Sequence, residues 1–427
     1  MRALAYATVI FFPASYALKF ILDLETTWVD PAFVTGALAL AIYVIRRKGR
    51  IALTPGERRT ATAAGVFLLV YCIAGLLALL RYVCTYHGIA PTTYACVRHP
   101  AWLALCVALF YLVLVAANDR RFYQSILRLF VWVGIGELLL ALYTLAALAR
   151  GWYLPQTWAA YMEAYYWRQA VYQGGAIIPR LGGTFLEAPI YGLFMLCALV
   201  SNLLLLRLGA RRLYKVTLAL LLLGTIGSLS DQVLLGLAAL PVFVFLPGLV
   251  RHTRRRPLAL VGGMMVVIGL ATWVGLSIHR KSQLESPQLR VGGQSMSERV
   301  YHAAYGLDRA EEHPLIGIGP GMYGYYVEKT GFFPHTATVM FTLPEILAET
   351  GVIGLASFLI FVSLTGWWLW RRRDGIGFGA FVSLLAASSL QSNWKWGFLY
   401  FTFGLVIAYY RFAPAGPETS GDKAPCG

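Results

Sequence analysis

Arginines stand where this chain could meet a phosphate: Arg81, Arg98, Arg150, Arg168, Arg180, Arg280, Arg290, Arg299 and Arg309 all fall in stretches that alternate with its most basic loops. A guanidinium group is a planar fork of N–H donors that grips phosphate oxygens two at a time. One or two such groups converging at a membrane surface suit a lipid-linked phosphate. The remainder read as anchors whose heads reach up to the lipid headgroups. The common catalytic signatures are missing. There is no phosphate-cradling GxxxxGK[ST], no HExxH, no paired CxxC and no GxSxG. No Asp-x-Asp pair stands in these stretches to hold a divalent ion, so neither metal nor cofactor is expected.

Two local patterns add backbone chemistry to the charge. The first is Pro179-Arg180-Leu181-Gly182-Gly183-Thr184-Phe185-Leu186-Glu187-Ala188-Pro189. Its paired glycines let backbone approach a ligand closely. Arg180 and Glu187 bracket the turn at membrane depth, where an unpaired charge is costly, so a structural salt bridge is the plainer use of the pair. The second begins at Ser297-Glu298-Arg299, passes through His313-Pro314-Leu315-Ile316-Gly317-Ile318-Gly319-Pro320-Gly321 and Pro334-His335, and ends at Pro344-Glu345-Ile346-Leu347-Ala348-Glu349-Thr350-Gly351. Glu345 and Glu349 are four apart and share one helical face, where they can meet the arginines or serve a helix start.

The elements that position these residues are membrane spans. The chain has 427 residues, 58% hydrophobic and 13% charged, which excludes an ordinary soluble domain. Apolar runs able to cross a hydrocarbon core lie near Leu4–Leu22, Ala32–Ile45, Thr62–Leu80, Ala101–Ala117, Leu127–Leu148, Pro189–Leu206, Val216–Leu229, Gln232–Val250, Leu258–Leu276, Glu345–Trp370, Ile376–Leu390 and Gly397–Tyr410. The first has no small-residue cleavage site and is expected to stay as a helix. Arg and Lys crowd every second loop: Arg46–Arg59, Arg120–Arg128, Arg207–Lys215, Arg251–Arg256 and Arg371–Arg373. The net charge of +16 therefore reads as positive-inside topology rather than as a nucleic-acid surface. Both termini are expected in the cytoplasm.

The fold class expected is all-α: one polytopic domain over residues 1–412 with about twelve transmembrane helices, a large outer loop at 277–344 before helix 10, and a tail at 413–427 of disordered composition. Thr157–Tyr172, rich in Trp and Tyr at helical spacing, is expected to lie flat as an interfacial helix. A second helix is expected over Ser297–Arg309, with Ser297 as its cap. Cys84 and Cys96 share an outer loop, where an oxidising exterior would permit a disulfide.

These motifs resemble the O-antigen ligase and polysaccharide polymerase family of bacterial envelope glycosyltransferases. RLGGTFLEAP is similar to the family's R-x-x-G-T-F approach to a central span. HPLIGIGPGMY is similar to its P-L-x-G-x-G-P-G-x-F turn, with Tyr323 in place of Phe. LPEILAETGVIGL is similar to its L-x-E-x-G-x-x-G-L span start. The three occur in the family's order and, with the topology, cover about half the chain.

The resemblance implies transfer of a glycan from undecaprenyl diphosphate onto an acceptor hydroxyl at the periplasmic face of the inner membrane, without nucleotide sugar or metal. By position, Arg180 and Arg299 would hold the diphosphate, stabilising charge as it develops on the leaving group. The acceptor hydroxyl needs a base within hydrogen-bond reach. His335, Glu187 and Asp231 are the candidates, and Arg290, His302 and Glu349 are expected to contact substrate. Asp231 could equally cap a helix, and His335 could be a plain interfacial histidine. Two departures bear on the acceptor. The family often has His-Asn where this chain has Met340-Phe341, and Ser-Arg where it has Ser230-Asp231. The histidine is tied most closely to the ligase branch, so polymerisation of repeat units is the expectation, with ligation to lipid A-core as the alternative. A transporter of lipid-linked glycan or solute is the rival class; the large loop after the ninth span and the lack of a two-fold repeat speak against it.

Overall fold

The computed structural model describes residues 2–21, 31–46, 53–86, 91–152, 171–173, 176–178, 180–185, 187–209, 212–253, 296–323, 341–372, 374–390 and 394–413. The helices in chain order are α1 (Arg2–Ile21), α2 (Pro31–Arg46), α3 (Pro55–Tyr86), α4 (Pro91–Ala116), α5 (Arg120–Arg150), α6 (Ala188–Arg207), α7 (Leu213–Gly227), α8 (Asp231–Thr253), α9 (Met296–Glu312), α10 (Thr342–Arg371), α11 (Gly375–Ser389) and α12 (Gly397–Ala408). Each expected span except Leu258–Leu276, which lies outside the described residues, coincides with one of α1–α8 or α10–α12.

Among the described residues, six helices are long and apolar enough to cross a membrane: Pro55–Arg81, Ala95–Ala116, Arg120–Arg150, Ala188–Arg207, Asp231–Gly248 and Thr342–Arg371. Arg2–Ala14, Leu213–Gly227 and Gly375–Ser389 are shorter apolar helices. Their outer faces carry bare Leu69, Leu76, Leu139, Val216, Leu223, Phe245 and Ile360. Water would penalise so much uncovered hydrocarbon, whereas lipid tails solvate it. The chain is a multi-pass membrane protein.

The core follows from which helices are apolar all round. α6 and α12 are buried along nearly their whole length, as a helix without a polar face must be. α12 packs on α4, α6 on α7 and α5, α3 on α10, and α8 along α11. Aromatic rings join the centre: Phe194 lies 5.2 Å from Phe130, 4.9 Å from Phe185 and 5.6 Å from Phe398, centroid to centroid.

One end of the bundle is tied together around Glu57 and Arg411. The α3 N-terminus carries a reciprocal cap: Thr54 N–H donates to Glu57 Oε2 at 2.8 Å, and Glu57 N–H reaches Thr54 Oγ1 at 3.4 Å. Glu57 also takes a two-pronged grip from Arg411, Nε to Oε1 at 2.6 Å and Nη2 to Oε2 at 2.9 Å. Arg411 Nη1 then donates to Asn118 Oδ1 at 2.7 Å, past the end of α4. Arg371 and Arg372 lie over the rings of Trp367 and Trp368 at this end. The site described below lies at the opposite end.

Local expectations are corrected in three places. Val171–Gln173, the end of the expected interfacial helix, is instead a strand (β1) paired antiparallel with Ala176–Ile178 (β2), with Gln173 opposite Ala176. Gly174 and Gly175 separate the strands, a composition that favours a two-residue hairpin. The rest of Thr157–Tyr172 lies outside the described residues. Ser297 sits inside α9, which starts at Met296, and so is not its cap. Cys96 is a free, buried thiol packed with Ala78 and Ile318 rather than a partner in a disulfide.

α10 is broken where the outer turn meets it. Gly351 takes φ 65° and ψ −167°, a conformation open essentially to glycine alone. The break turns backbone groups of α10 outward, and the turn at Pro314–Gly321 uses them. Ile318 N–H donates to Ala348 O at 2.8 Å and Gly319 N–H to Glu349 O at 3.0 Å; Val352 N–H donates back to Pro314 O at 2.8 Å. A Cβ on Gly317 would come within 2.5 Å of the Glu349 carbonyl carbon, and one on Gly351 would strike the backbone of Leu315 and Ile316. Gly351→Ala should therefore add about 1–3 kcal/mol of backbone strain. It should lower the thermal midpoint of the purified protein in detergent and speed proteolysis of the 314–321 turn.

Candidate functional site

Two centres share the end of the bundle where α6, α8, α10 and α12 begin. The first is built on Arg180. Its Nε donates to the carbonyl of Ser228 at 2.9 Å, and Leu181 N–H donates to Gly227 O at 2.9 Å. Both acceptors belong to the C-terminal end of α7, whose carbonyls have no helical donor of their own. A cation is favoured there by the negative end of the helix dipole. The following turn is held from α5. Thr184 donates to Glu137 Oε2 through its N–H (2.9 Å) and its hydroxyl (3.0 Å). Gly183 has φ 54°, and a Cβ on it would come 2.6 Å from that oxygen. Glu187 is exposed at the N-cap of α6 and makes no side-chain cap bond. Asp231 is exposed as the first residue of α8. The start of α8 packs on α6 closely enough that a Cβ on Gly192 would meet Ser228 Cβ at 2.8 Å and Val233 Cγ2 at 2.9 Å. Arg180, Glu187 and Asp231 thus gather around one corner of the bundle.

The second centre is built on Lys395, in the short connection before α12. Its ammonium donates to Glu349 Oε2 at 2.8 Å, to Glu345 Oε1 at 3.1 Å and to His99 Nδ1 at 3.3 Å. All three of its protons are used. Burial works against the charge, but the carboxylates of Glu345 and Glu349 outweigh it and hold the Lys395 pKa above its ordinary value. The remaining carboxylate oxygens are also engaged. Tyr71 O–H donates to Glu349 Oε2 at 2.5 Å, Trp394 Nε1 to Glu345 Oε2 at 2.6 Å, and Gly321 N–H to Glu349 Oε1 at 2.9 Å. The Lys395 carbonyl accepts from Trp102 Nε1 at 2.7 Å. Thr342 Oγ1, one turn before Glu345, donates to Ser388 O at 2.7 Å and ties α10 to the end of α11. This centre therefore joins α3, α4, α10, the α12 approach and the outer turn.

The expected site residues fall out as follows. Glu349 lies in the Lys395 centre with both oxygens committed to protein donors. His302 is fully buried in α9; its Nδ1 meets Tyr323 O–H at 2.8 Å, and that hydroxyl lies 2.9 Å from the His302 carbonyl. This pair moors α9 to the end of the outer turn. Arg299 lies on α9, with its side chain outside the description. Arg290, His335 and Met340 lie outside the described residues.

The sequence reading missed Glu137, Tyr71, His99 and Lys395. Glu137 carried a signal, since an acid inside a span marks a partner by default. Lys395 stood in a stretch where positive charge is sparse. For His99 and Tyr71 there was no signal, because only folding brings them to residues some 250 positions later.

Removing Lys395 strands two buried carboxylates. Lys395→Met should cost about 3–5 kcal/mol. The triple change Glu345→Gln, Glu349→Gln and Lys395→Met should recover part of that loss. Thermal midpoints of the purified variants measure both, and equal midpoints for the single and triple variants would contradict this account.

Residues 216–359 match a family model described as O-antigen ligase. The match runs from α7 through the outer turn and the Gly351 break into α10. It takes in Asp231, Arg299, Glu345 and Glu349, and stops short of Arg180, His99 and Lys395. No curated protein matches the chain. The work of the matched family is glycosyl transfer in O-antigen and polysaccharide assembly. Over residues 216–359, about a third of its length, the chain is thus similar to the O-antigen ligase family.

Proposed function

We propose that this protein is a lipid-diphosphate-dependent glycosyltransferase. It works at the periplasmic face of a bacterial inner membrane, with both termini in the cytoplasm, and moves glycan from undecaprenyl diphosphate onto an acceptor hydroxyl. The observation that carries this reading is the fixing of Arg180 at the corner where α6 and α8 begin, on the same end of the bundle as the family-matched turn. A guanidinium held by the α7 terminus needs no reorganisation as the diphosphate leaves, which is where fixed donors gain most. The positive ends of the α6 and α8 dipoles favour the same anion. Arg299 is the second arm of this grip, and protein groups rather than a metal neutralise the leaving group. The acceptor's proton goes to one of Glu187, Asp231 or His335. Glu187 and Asp231 are exposed at the starts of α6 and α8, the end of the bundle that carries Arg180.

Polymerisation of repeat units is the favoured reaction, since Met340 stands where the ligase branch often has histidine. The description of the matched family as O-antigen ligase keeps transfer to lipid A-core as the second reading. Purified protein given undecaprenyl diphosphate-linked oligosaccharide, with and without lipid A-core, separates them. A ladder of lengthening products without core means polymerase, and a single capped product that needs core means ligase. Arg180→Ala and Arg299→Ala should each cut transfer about 10²–10³-fold with unchanged protein level in the membrane. Arg180→Lys should restore only part, because a point charge lacks the fork. Precursor accumulating on the inner leaflet of Arg180→Ala cells would speak for transport instead.

A further inference from the structure

We propose that His99 holds the saccharide: its imidazole, neutral and protonated on Nε2, donates a hydrogen bond to a sugar oxygen at the mouth of the bundle. This rests on the glycosyltransferase reading above. The tautomer follows from Lys395. An ammonium has donors only, so His99 Nδ1 at 3.3 Å must accept, which leaves the ring proton on Nε2. A second contact on the same nitrogen, Glu349 Oε1 at 3.8 Å, is too long to compete.

Access points the same way. The His99 side chain is 25% exposed, against 10% for Lys395 and 1–2% for Glu345 and Glu349. It is the one member of the four that reaches the surface. The ring edge that carries Nε2 lies beside Gly321, at the tip of the outer turn, where a Cβ would meet His99 Cδ2 at 3.0 Å. Among the described residues no hydrogen bond engages Nε2. A partly exposed ring beside the turn, with no hydrogen bond to Nε2 among the described residues, carries a donor awaiting an acceptor.

Charge selects the class of that acceptor. Two carboxylates, Glu345 and Glu349, face one ammonium, and Arg98 beside His99 brings the local balance only to neutral. The centre has no surplus positive charge to attract a diphosphate. A neutral hydroxyl or ring oxygen of a sugar fits His99 without an electrostatic penalty. The sugar is that of the lipid-linked donor or that of the acceptor glycan.

Two substitutions separate this role from a structural one. In His99→Asn the amide oxygen takes the place of Nδ1 and keeps the Lys395 contact, but the outward donor is gone. In His99→Gln the amide N–H takes the place of Nε2 and keeps the outward donor. Initial rates are measured with the purified protein, varying polyprenyl diphosphate-linked oligosaccharide and lipid-free acceptor oligosaccharide in turn. Binding of bare polyprenyl diphosphate and thermal midpoints are measured alongside. His99→Asn should keep its midpoint and its affinity for the bare lipid, and raise KM about tenfold for whichever glycan His99 holds. His99→Gln should recover most of that loss. The KM that rises names the donor or the acceptor. The reverse order, with Gln impaired and Asn normal, would mean that His99 only supports Lys395. Equal loss of bare-lipid binding would make it a phosphate ligand. Either result overturns the proposal, while absence of any transfer by wild-type protein would instead overturn the glycosyltransferase reading.

Discussion

The fastening of the outer turn to this bundle depends on one ammonium group. Lys395 spends three protons on Glu345, Glu349 and His99, and those residues come from α10 and α4. In a low-dielectric bundle, a carboxylate without such a partner would carry a penalty of several kcal/mol. The pairing therefore obliges the α12 approach, α4 and α10 to meet at one point. Tyr71 adds α3, and the Gly321 amide adds the outer turn. A loop that would otherwise sit loosely over the membrane is fastened to four helices.

The helix break at Gly351 is the other half of that fastening. A continuous helix would keep the carbonyls of Ala348 and Glu349 within its own ladder. By leaving the helical region at one glycine, α10 offers them to Ile318 and Gly319. The glycines of the IGIGPG turn and the glycine of α10 are then two faces of one contact, each lacking a Cβ because the other's backbone lies there. Strain accepted at Gly351 is returned as backbone hydrogen bonds that place the turn tip beside His99.

The two centres are built differently. Around Arg180 the N-terminal ends of α6 and α8 meet the carbonyl end of α7, with Glu187 and Asp231 exposed at the helix starts. Around Lys395 the charges cancel. In the proposed reaction the anionic diphosphate of a lipid-linked sugar would meet the Arg180 corner and its neutral glycan the Lys395 centre.

Much of this was legible in the residues. Apolar run length and the alternation of basic loops gave the spans and their ends, because a bilayer leaves backbone no choice but helix and leaves charge no place but the rim. The three glycine-bearing motifs marked the turn, the Arg180 corner and the α10 start, since backbone geometry there admits little else. Glu345 and Glu349 were visible as a pair on one face, but not their partner. Tyr71 and His99 meet Lys395 from the neighbouring helices α3 and α4, some three hundred residues earlier in the chain, and nothing local in any of them records the meeting. Their contact is decided by how helices pack, which depends on the summed shape of many apolar side chains. Sequence patterning determines which segments enter the membrane and where their charges stop; only the packed bundle decides which of those charges meet one another.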